Sequence, residues 1–144
     1  MSNSTEQYTQ FQIDSFCDLI WHSDNTKESN KLLVDIANKI PVNSIDSNKI
    51  GIIFYSILLN HINIFEILLK RGVDINLPYN NSNKSSPFMV ALESKNEYII
   101  ERLLSIPNID LFYVNEYREN VLFYMGIYMD NLSLFKRILN MMLD

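Results

Sequence analysis

Apolar residues recur along this chain at helical spacing, and the pattern repeats with a step of 35 residues. Small residues mark the register at Ser56, Ala91 and Gly126. The apolar positions that align under the same shift are Ile53, Phe88 and Phe123; Ile64, Ile99 and Leu134; Phe65, Ile100 and Phe135; and the pairs Leu68-Leu69, Leu103-Leu104 and Ile138-Leu139. A period of this length predicts stacked units, none of which can bury its apolar face alone. We expect the aligned residues to form the core, with the small ones letting adjacent helices approach closely.

The 3.6-residue periodicity predicts four helix pairs and an all-α fold. Their helices span about 11–22 and 27–39, about 51–59 and 63–71, a helix opening at Ser86-Pro87 with a second at about 97–105, and about 121–129 and 132–143. Capping side chains at 24–26 precede the second helix, and Ser86 precedes a proline at a first helical position. Gly72 is predicted to end a helix in the left-handed conformation.

The first helix pair does not match the 35-residue register. Its apolar faces are predicted to carry Ile13, Phe16, Cys17 and Ile20 on the first helix and Leu32, Leu33 and Ile36 on the second, with Asp14 and Asp18 facing outward. We interpret this pair as a polar-faced terminal unit, because the outer surface at the end of a stack meets water.

Two segments resemble the ankyrin-repeat family. Residues 61–76, HINIFEILLKRGVDIN, are similar to the second helix of a repeat and the Gly-Ala-Asp-Val-Asn turn that follows it. Residues 86–91, SPFMVA, stand where the family has Thr-Pro-Leu-His-x-Ala, whereas residues 51–54 and 121–124 lack the Thr, Pro and His. The resemblance covers about residue 47 to the C-terminus.

The resemblance implies an ankyrin-repeat solenoid of about four helix-turn-helix units, with degenerate caps first and last. The implied organisation is a flexible N-terminus over 1–10 and a single domain over 11–144, with a cap pair at 11–46 and repeats at about 47–81, 82–116 and 117–144.

Composition favours a globular, cytoplasmic protein, since 47% of the residues are hydrophobic and 20% are charged. No apolar run approaches the ~18 residues of a membrane span, and the polar N-terminus lacks the features of a signal peptide. With Cys17 as its one cysteine the chain can form no internal disulfide, which favours a reducing compartment. A net charge of −5 and scattered lysines argue against nucleic acid as a partner.

Negative charge is concentrated in residues 1–48, which hold seven carboxylates and three lysines. Such an acidic pole steers the encounter with a basic protein. The alternative interpretation is a solvated cap that aids solubility.

No catalytic constellation is found in the sequence. Cys17 and His22 lie five residues apart on a predicted helix, so their side chains diverge by more than about 100°, and Cys17 is interpreted as a core residue. His61 is interpreted as a structural residue of a turn. Two histidines and one cysteine cannot meet a zinc spacing pattern. We expect no enzymatic activity, no metal and no cofactor.

The ankyrin resemblance implies a binding surface made of loop fingers and the outward positions of the shorter helices. The residues assigned to it are Tyr55, Leu58, Tyr79, Asn81, Lys84, Glu93, Tyr113, Glu116, Tyr117, Arg118 and Tyr128, and the acidic pole adds Asp14 and Asp18. Tyrosine and arginine are enriched at interface centres. The alternative, that individual tyrosines pack against neighbouring fingers, stays open.

We therefore predict a protein–protein interaction module that binds one specific protein. The favoured function is an immunity-type inhibitor that neutralises a basic toxin such as a nuclease. An ankyrin adaptor or effector that docks on host proteins is the second hypothesis, and an enzyme with an unrecognised site is a remote third.

Overall fold

The computed structural model describes residues 7–80 and 83–144, and within these ranges the chain forms eight α-helices and no β-strand. The helices are α1 (Gln10–Trp21), α2 (Lys27–Ala37), α3 (Ile52–Leu58), α4 (Ile62–Lys70), α5 (Pro87–Glu93), α6 (Glu97–Leu104), α7 (Val121–Tyr128) and α8 (Leu132–Leu143). The predicted all-α class is confirmed, and the predicted helix ends lie within two residues of those observed.

Side-chain caps explain where several helices begin. The hydroxyl of Thr26 accepts a hydrogen bond from the Ser29 amide at 3.2 Å, and that of Ser86 accepts one from Met89 at 3.2 Å. Gly72 follows α4 with φ of +82°, the left-handed conformation predicted for it. At the N-terminus, Thr9 caps α1 and Gln10 belongs to that helix, so the predicted flexible segment 1–10 is too long; residues 1–6 lie outside the described residues.

The helices pack as consecutive pairs placed side by side. Within each pair the helices contact each other, and along the series α1 contacts α3, α3 contacts α5, and α5 contacts α7. Among the second helices, α2 contacts α4, and side-chain hydrogen bonds join α4 to α6 and α6 to α8. The core therefore runs between successive pairs, and Leu33, Leu68, Leu103 and Ile138 are all fully buried along it.

Successive members of this set are 35 residues apart, and Leu33 belongs to the first pair. The prediction that the first pair lies outside the 35-residue register is therefore wrong. The residues that cap the second helices, Thr26, His61, Asn96 and Asn131, are also spaced by 35. The match was hidden because Ser29 and Asn30 of α2 occupy places where later units carry two adjacent apolar side chains.

The first helices follow a different spacing at the end of the chain. The N-cap residues of α3, α5 and α7 are Gly51, Ser86 and Asn120, so the second step is 34 residues. The core face of α7 is therefore shifted by one residue, and Met125 is buried while Gly126 is exposed with open space beside it. The predicted role of Gly126 in close helix packing is wrong, although Ser56 and Ala91 are fully buried as predicted.

Both ends of the series carry exposed apolar side chains. Leu32, predicted to point inward, is 50% exposed, and Phe11 on α1 is also exposed, so the first pair does not have the predicted polar outer face. At the other end Phe123, an expected core residue, is exposed because α7 has no further helix beside it in the described chain.

Ion pairs connect successive second helices. Glu66 on α4 accepts hydrogen bonds from Arg102 Nε at 2.7 Å and from the Tyr98 hydroxyl at 2.8 Å, both on α6. Glu101 on α6 pairs in the same way with Arg137 on α8. The α4–α6 and α6–α8 junctions thus each place a carboxylate of one unit against donors that lie 32 or 36 residues later.

Candidate protein-binding surface

Three short loops precede α3, α5 and α7, and we call them the first, middle and last fingers. Backbone hydrogen bonds close them: Asp46 N to Ile50 O at 3.0 Å, Tyr79 N to Ser85 O at 2.7 Å, and Asn115 N to Glu119 O at 3.1 Å. The middle finger, 79–85, is two residues longer than the fingers at 46–50 and 115–119. Each finger is therefore closed at its base next to the start of a helix; residues 81–82 of the middle finger lie outside the described residues.

The same side-chain device builds the first and last fingers. Asp46 Oδ1 accepts hydrogen bonds from the amides of Asn48 and Ile50, each at 2.9 Å. Asn115 Oδ1 accepts them from Tyr117 at 3.0 Å and Glu119 at 2.9 Å. Because one buried oxygen fixes two amides, the backbone of each finger tip is set before any partner binds.

Hydrogen bonds between fingers join them into one surface. The side-chain amide of Asn80 donates to Asn48 O at 2.7 Å, which ties the middle finger to the first. The amide of Glu116 donates to Asn83 O at 3.0 Å, and the Tyr113 hydroxyl donates to Lys84 O, which ties the last finger to the middle one. We call this joined set of fingers the finger surface. It also includes the C-terminal ends of α1, α3 and α5, which carry Trp21, Leu58 and Glu93.

Five of the predicted site residues are exposed on the finger surface. Glu116, Tyr117 and Arg118 form the tip of the last finger, and Leu58 and Glu93 lie at the ends of α3 and α5. Tyr117 is 62% exposed. Its ring can therefore contact a partner without any rearrangement of the finger.

Tyr55 does not face outward as predicted. It is buried, and its hydroxyl donates to Asp46 Oδ2 at the base of the first finger. Burial and this bond raise the pKa of Tyr55, so the phenol stays protonated and serves as a donor. Tyr124 plays the corresponding part in the last finger, where its hydroxyl accepts a hydrogen bond from Asn115 Nδ2 at 3.2 Å. Both tyrosines hold fingers in place.

Tyr79 and Tyr113 are half-buried. They fit the alternative interpretation, in which tyrosines pack within the protein rather than face a partner. The ring of Tyr79 stacks on Phe54 with centroids 4.8 Å apart, and Tyr113 bonds across to the middle finger. Lys84, beside them, adopts φ of +54° and donates to Asn80 Oδ1 at 2.6 Å. These residues mainly shape the finger surface.

Tyr128 and Glu93 come together where α7 meets α5. The charge of Glu93 raises the pKa of the Tyr128 phenol, and the Tyr128 ring lies 5.6 Å from that of Tyr124. Among the other predicted residues, Asp14 accepts hydrogen bonds from Ser47 and Gln10, which lower its pKa, and Asp18 is exposed on α1. Asn81 lies outside the described residues.

Trp21 is a candidate contact residue that the sequence interpretation missed. It ends α1, is 53% exposed, and meets the Tyr55 ring edge-on with centroids 6.2 Å apart. Its ring therefore extends the finger surface toward the N-terminal end. The available signal was the one tryptophan of the chain at a position outside the apolar face of its helix.

The potentially reactive groups are Cys17, beneath the first finger, and His61, at the start of α4. Cys17 is buried, as predicted. Burial is the main cause that raises its pKa to about 12, and the negative charge of the nearby Asp46 adds to the shift. His61 lines a polar pocket of about 300 Å³ whose other residues are uncharged. Within the described ranges no three His, Cys, Asp or Glu side chains are placed to hold a metal ion. No described helix combines the length and the apolar character needed to cross a bilayer.

Comparison of the chain with models of known protein families finds no match, and comparison with curated proteins finds none either.

Proposed function

We propose that this protein is a non-catalytic, ankyrin-type module that binds a protein partner through the finger surface. The observation that carries the proposal is the joining of three closed loops into one continuous surface with Tyr117 and Trp21 exposed on it. A pre-formed surface with exposed aromatic anchors suits protein recognition, because little ordering entropy is lost on binding.

Two features support the ankyrin-type assignment. Helix pairs recur along the chain with their second helices capped at intervals of 35 residues, and fingers precede the first helices. The turn after α4 has Gly72 in the left-handed conformation, as expected where the sequence resembles an ankyrin turn.

Charge favours a basic partner, and we propose a cytoplasmic inhibitor that neutralises a basic toxin such as a nuclease. Residues 1–48 hold the acidic pole, and Asp18, Glu93 and Glu116 are exposed. Exposed carboxylates of this kind accelerate the encounter with a positively charged protein more than they tighten the formed complex.

The first experiment captures the partner from native lysate with the full chain and measures its affinity for variants by calorimetry. Tyr117→Ala and Trp21→Ala are each expected to weaken binding by about 2 kcal/mol, because exposed aromatic anchors dominate interface energies. Tyr98→Ala is the matched control, since this tyrosine is also exposed but lies on α6, away from the fingers. Binding that responds to Tyr98→Ala and to neither finger-surface variant would contradict the proposed surface.

A second measurement tests the identity of the partner. The association rate is expected to fall steeply between about 0.01 M and 0.15 M salt, since the Debye length falls from ~30 Å to ~8 Å. Capture of an acidic protein, or an association rate indifferent to salt, contradicts the inhibitor of a basic toxin. A basic partner whose activity is unchanged on binding would favour adaptor function.

A further inference from the structure

The two ends of the helix series carry unpartnered apolar faces. The head face combines two exposed residues of the first pair, Phe11 and Leu32, with three partly buried ones, Tyr8, Leu19 and Ile36. The tail face combines four exposed residues of the last pair, Phe123, Ile127, Leu132 and Leu143, with the partly buried Leu139. Contiguous exposed apolar surface of this kind marks interaction sites on globular proteins. In repeat proteins the terminal units normally present a polar outer face.

Helix geometry shows that the head face points away from the rest of the molecule. Gln10, Asp14 and Trp21 contact residues 45–55, so they define the side of α1 that faces α3. Ser15 and Leu19, one turn apart, lie on the opposite side of that helix, and Phe11 lies at the edge of that side, about 80° around the helix from Leu19. They line a groove of about 520 Å³ together with Ile36 of α2.

The tail face corresponds to a surface that is covered in the two middle units. Phe54 and Met89, each three residues after the N-cap of its helix, are 0% exposed, and each lies on a first helix that has the next first helix beside it. Phe123 has the same place in α7 and is 44% exposed. Ile127 lies one turn later on the same side and is 57% exposed. The internal junctions thus show what kind of surface fits the tail: the face of another helix pair.

The second helices at the two ends also match in charge at one position. Glu28 is exposed on α2, and Lys136 is exposed on α8, where Arg137 already pairs with Glu101. Lys136 stands 35 residues after Glu101 and takes the place from which Glu101 and Glu66 pair with the following unit. Opposite charges placed across a junction favour one register and orientation.

We propose that the tail face binds the head face of a second copy of this chain, so that the internal stacking continues across the junction. Glu28 lies 70 residues before Tyr98, which contacts Glu66. In the continued register, Glu28 of the second copy therefore meets Lys136. The contact joins two different faces, so it is heterologous and leads to open chains of copies.

Sedimentation velocity over a range of concentrations in low salt tests this association. The unmodified protein is expected to form species of two, three and more copies as concentration rises. Phe11→Glu blocks the head and Ile127→Glu blocks the tail, so each variant alone stays monomeric. An equimolar mixture of the two is expected to stop at two copies, because one usable head and one usable tail remain. Val114→Glu, at an exposed apolar position on a loop, is the matched control and leaves association intact.

Charge reversal provides an independent readout that does not depend on the apolar variants folding. Lys136→Glu and Glu28→Lys are each expected to weaken association about threefold, the range of an exposed ion pair. The two substitutions in one chain restore it, because the reversed pair is again complementary. The proposal is overturned if the unmodified protein is monomeric at all concentrations, if either blocked variant dimerises alone, or if the double reversal gives no rescue.

Discussion

Single polar side chains fix the backbone of the first and last fingers. Asp46 and Asn115 each hold two amides of a finger, and the hydroxyls of Tyr55 and Tyr124 hold those two side chains in turn. A buried acceptor of this type is costly to leave unpaired. The proposed binding surface is thus positioned by buried residues.

His61 is the residue through which stability depends on mild acid. Burial lowers its pKa from 6.5, so the folded state binds the proton less well than the unfolded state. The contribution of His61 to the free energy of unfolding is therefore constant above about pH 6.5, and the free energy of unfolding falls as pH decreases below that value. His61→Asn is expected to flatten this dependence, because asparagine does not titrate and already serves as N-cap at the equivalent positions 96 and 131.

Urea unfolding of both proteins between about pH 7 and pH 5.5 measures the difference, a range in which ordinary carboxylates remain ionised. Equal slopes for the two proteins would show that His61 is not the group responsible.

At the scale of the element, the two similar helix rows have different spacing. The second helices start every 35 residues. Among the first helices, α7 starts one residue earlier than a 35-residue step from α5 would place it, and it is one residue longer than α3 and α5. Gly126 therefore lies on the outward side of α7, with no atom within 4 Å of where a Cβ would stand. Gly72 has equal open space but a φ of +82°.

The same substitution at these glycines is expected to have opposite effects. Gly126→Ala stabilises the protein by about 0.5–1 kcal/mol, because alanine loses less backbone entropy in a helix. Gly72→Ala destabilises it by about 1 kcal/mol, because an L side chain is strained in the left-handed region. Thermal and urea unfolding measure both changes, and a shift of the same sign for both would contradict the assigned conformations.

The sequence predicts the repeat and the helices well because both depend on local patterns of apolar residues. It fails where the deciding contacts are distant. Ser29 and Asn30 conceal the register of α2, and only the packing of α2 on α4 reveals it. The sequence places Tyr55 at an outward helix position, and only its hydrogen bond to Asp46 shows that the side chain is buried. Likewise, exposure of Tyr117 but not of Tyr79 depends on the stacking of Tyr79 against Phe54.

At the scale of the whole molecule, each unit is stabilised mainly by its neighbours. α3 and α5 contact first helices on both sides, whereas α1 and α7 have such a neighbour on one side. The centre of the series therefore holds more of the folding free energy than its ends, as expected for an architecture of nearest-neighbour contacts.

Two leucines test this distribution. Leu68→Ala, at a fully buried position of α4, is expected to lower the free energy of unfolding by about 2–5 kcal/mol through lost burial and a new cavity. Leu143→Ala, at an exposed position near the end of α8, changes it by less than about 0.5 kcal/mol. Urea titrations with a common slope provide the comparison, and similar losses at both positions would contradict it.

The positive-φ residues before the first helices make the chain extensible. Lys84 and Arg118 adopt φ of +54° and +62°, each two residues before an N-cap. If segment 85–118 were duplicated, Arg118 of the first copy would precede Ser85 of the second copy, as Lys84 does now, and it already has the same left-handed backbone conformation. Glu101 of the original segment would meet Arg102 of the duplicate, and Glu101 of the duplicate would meet Arg137. One tandem duplication in the gene would thus add a helix pair and one more finger with the ion pairs between second helices already complementary, whereas Val90 of the duplicate would stand where Tyr124 now holds Asn115.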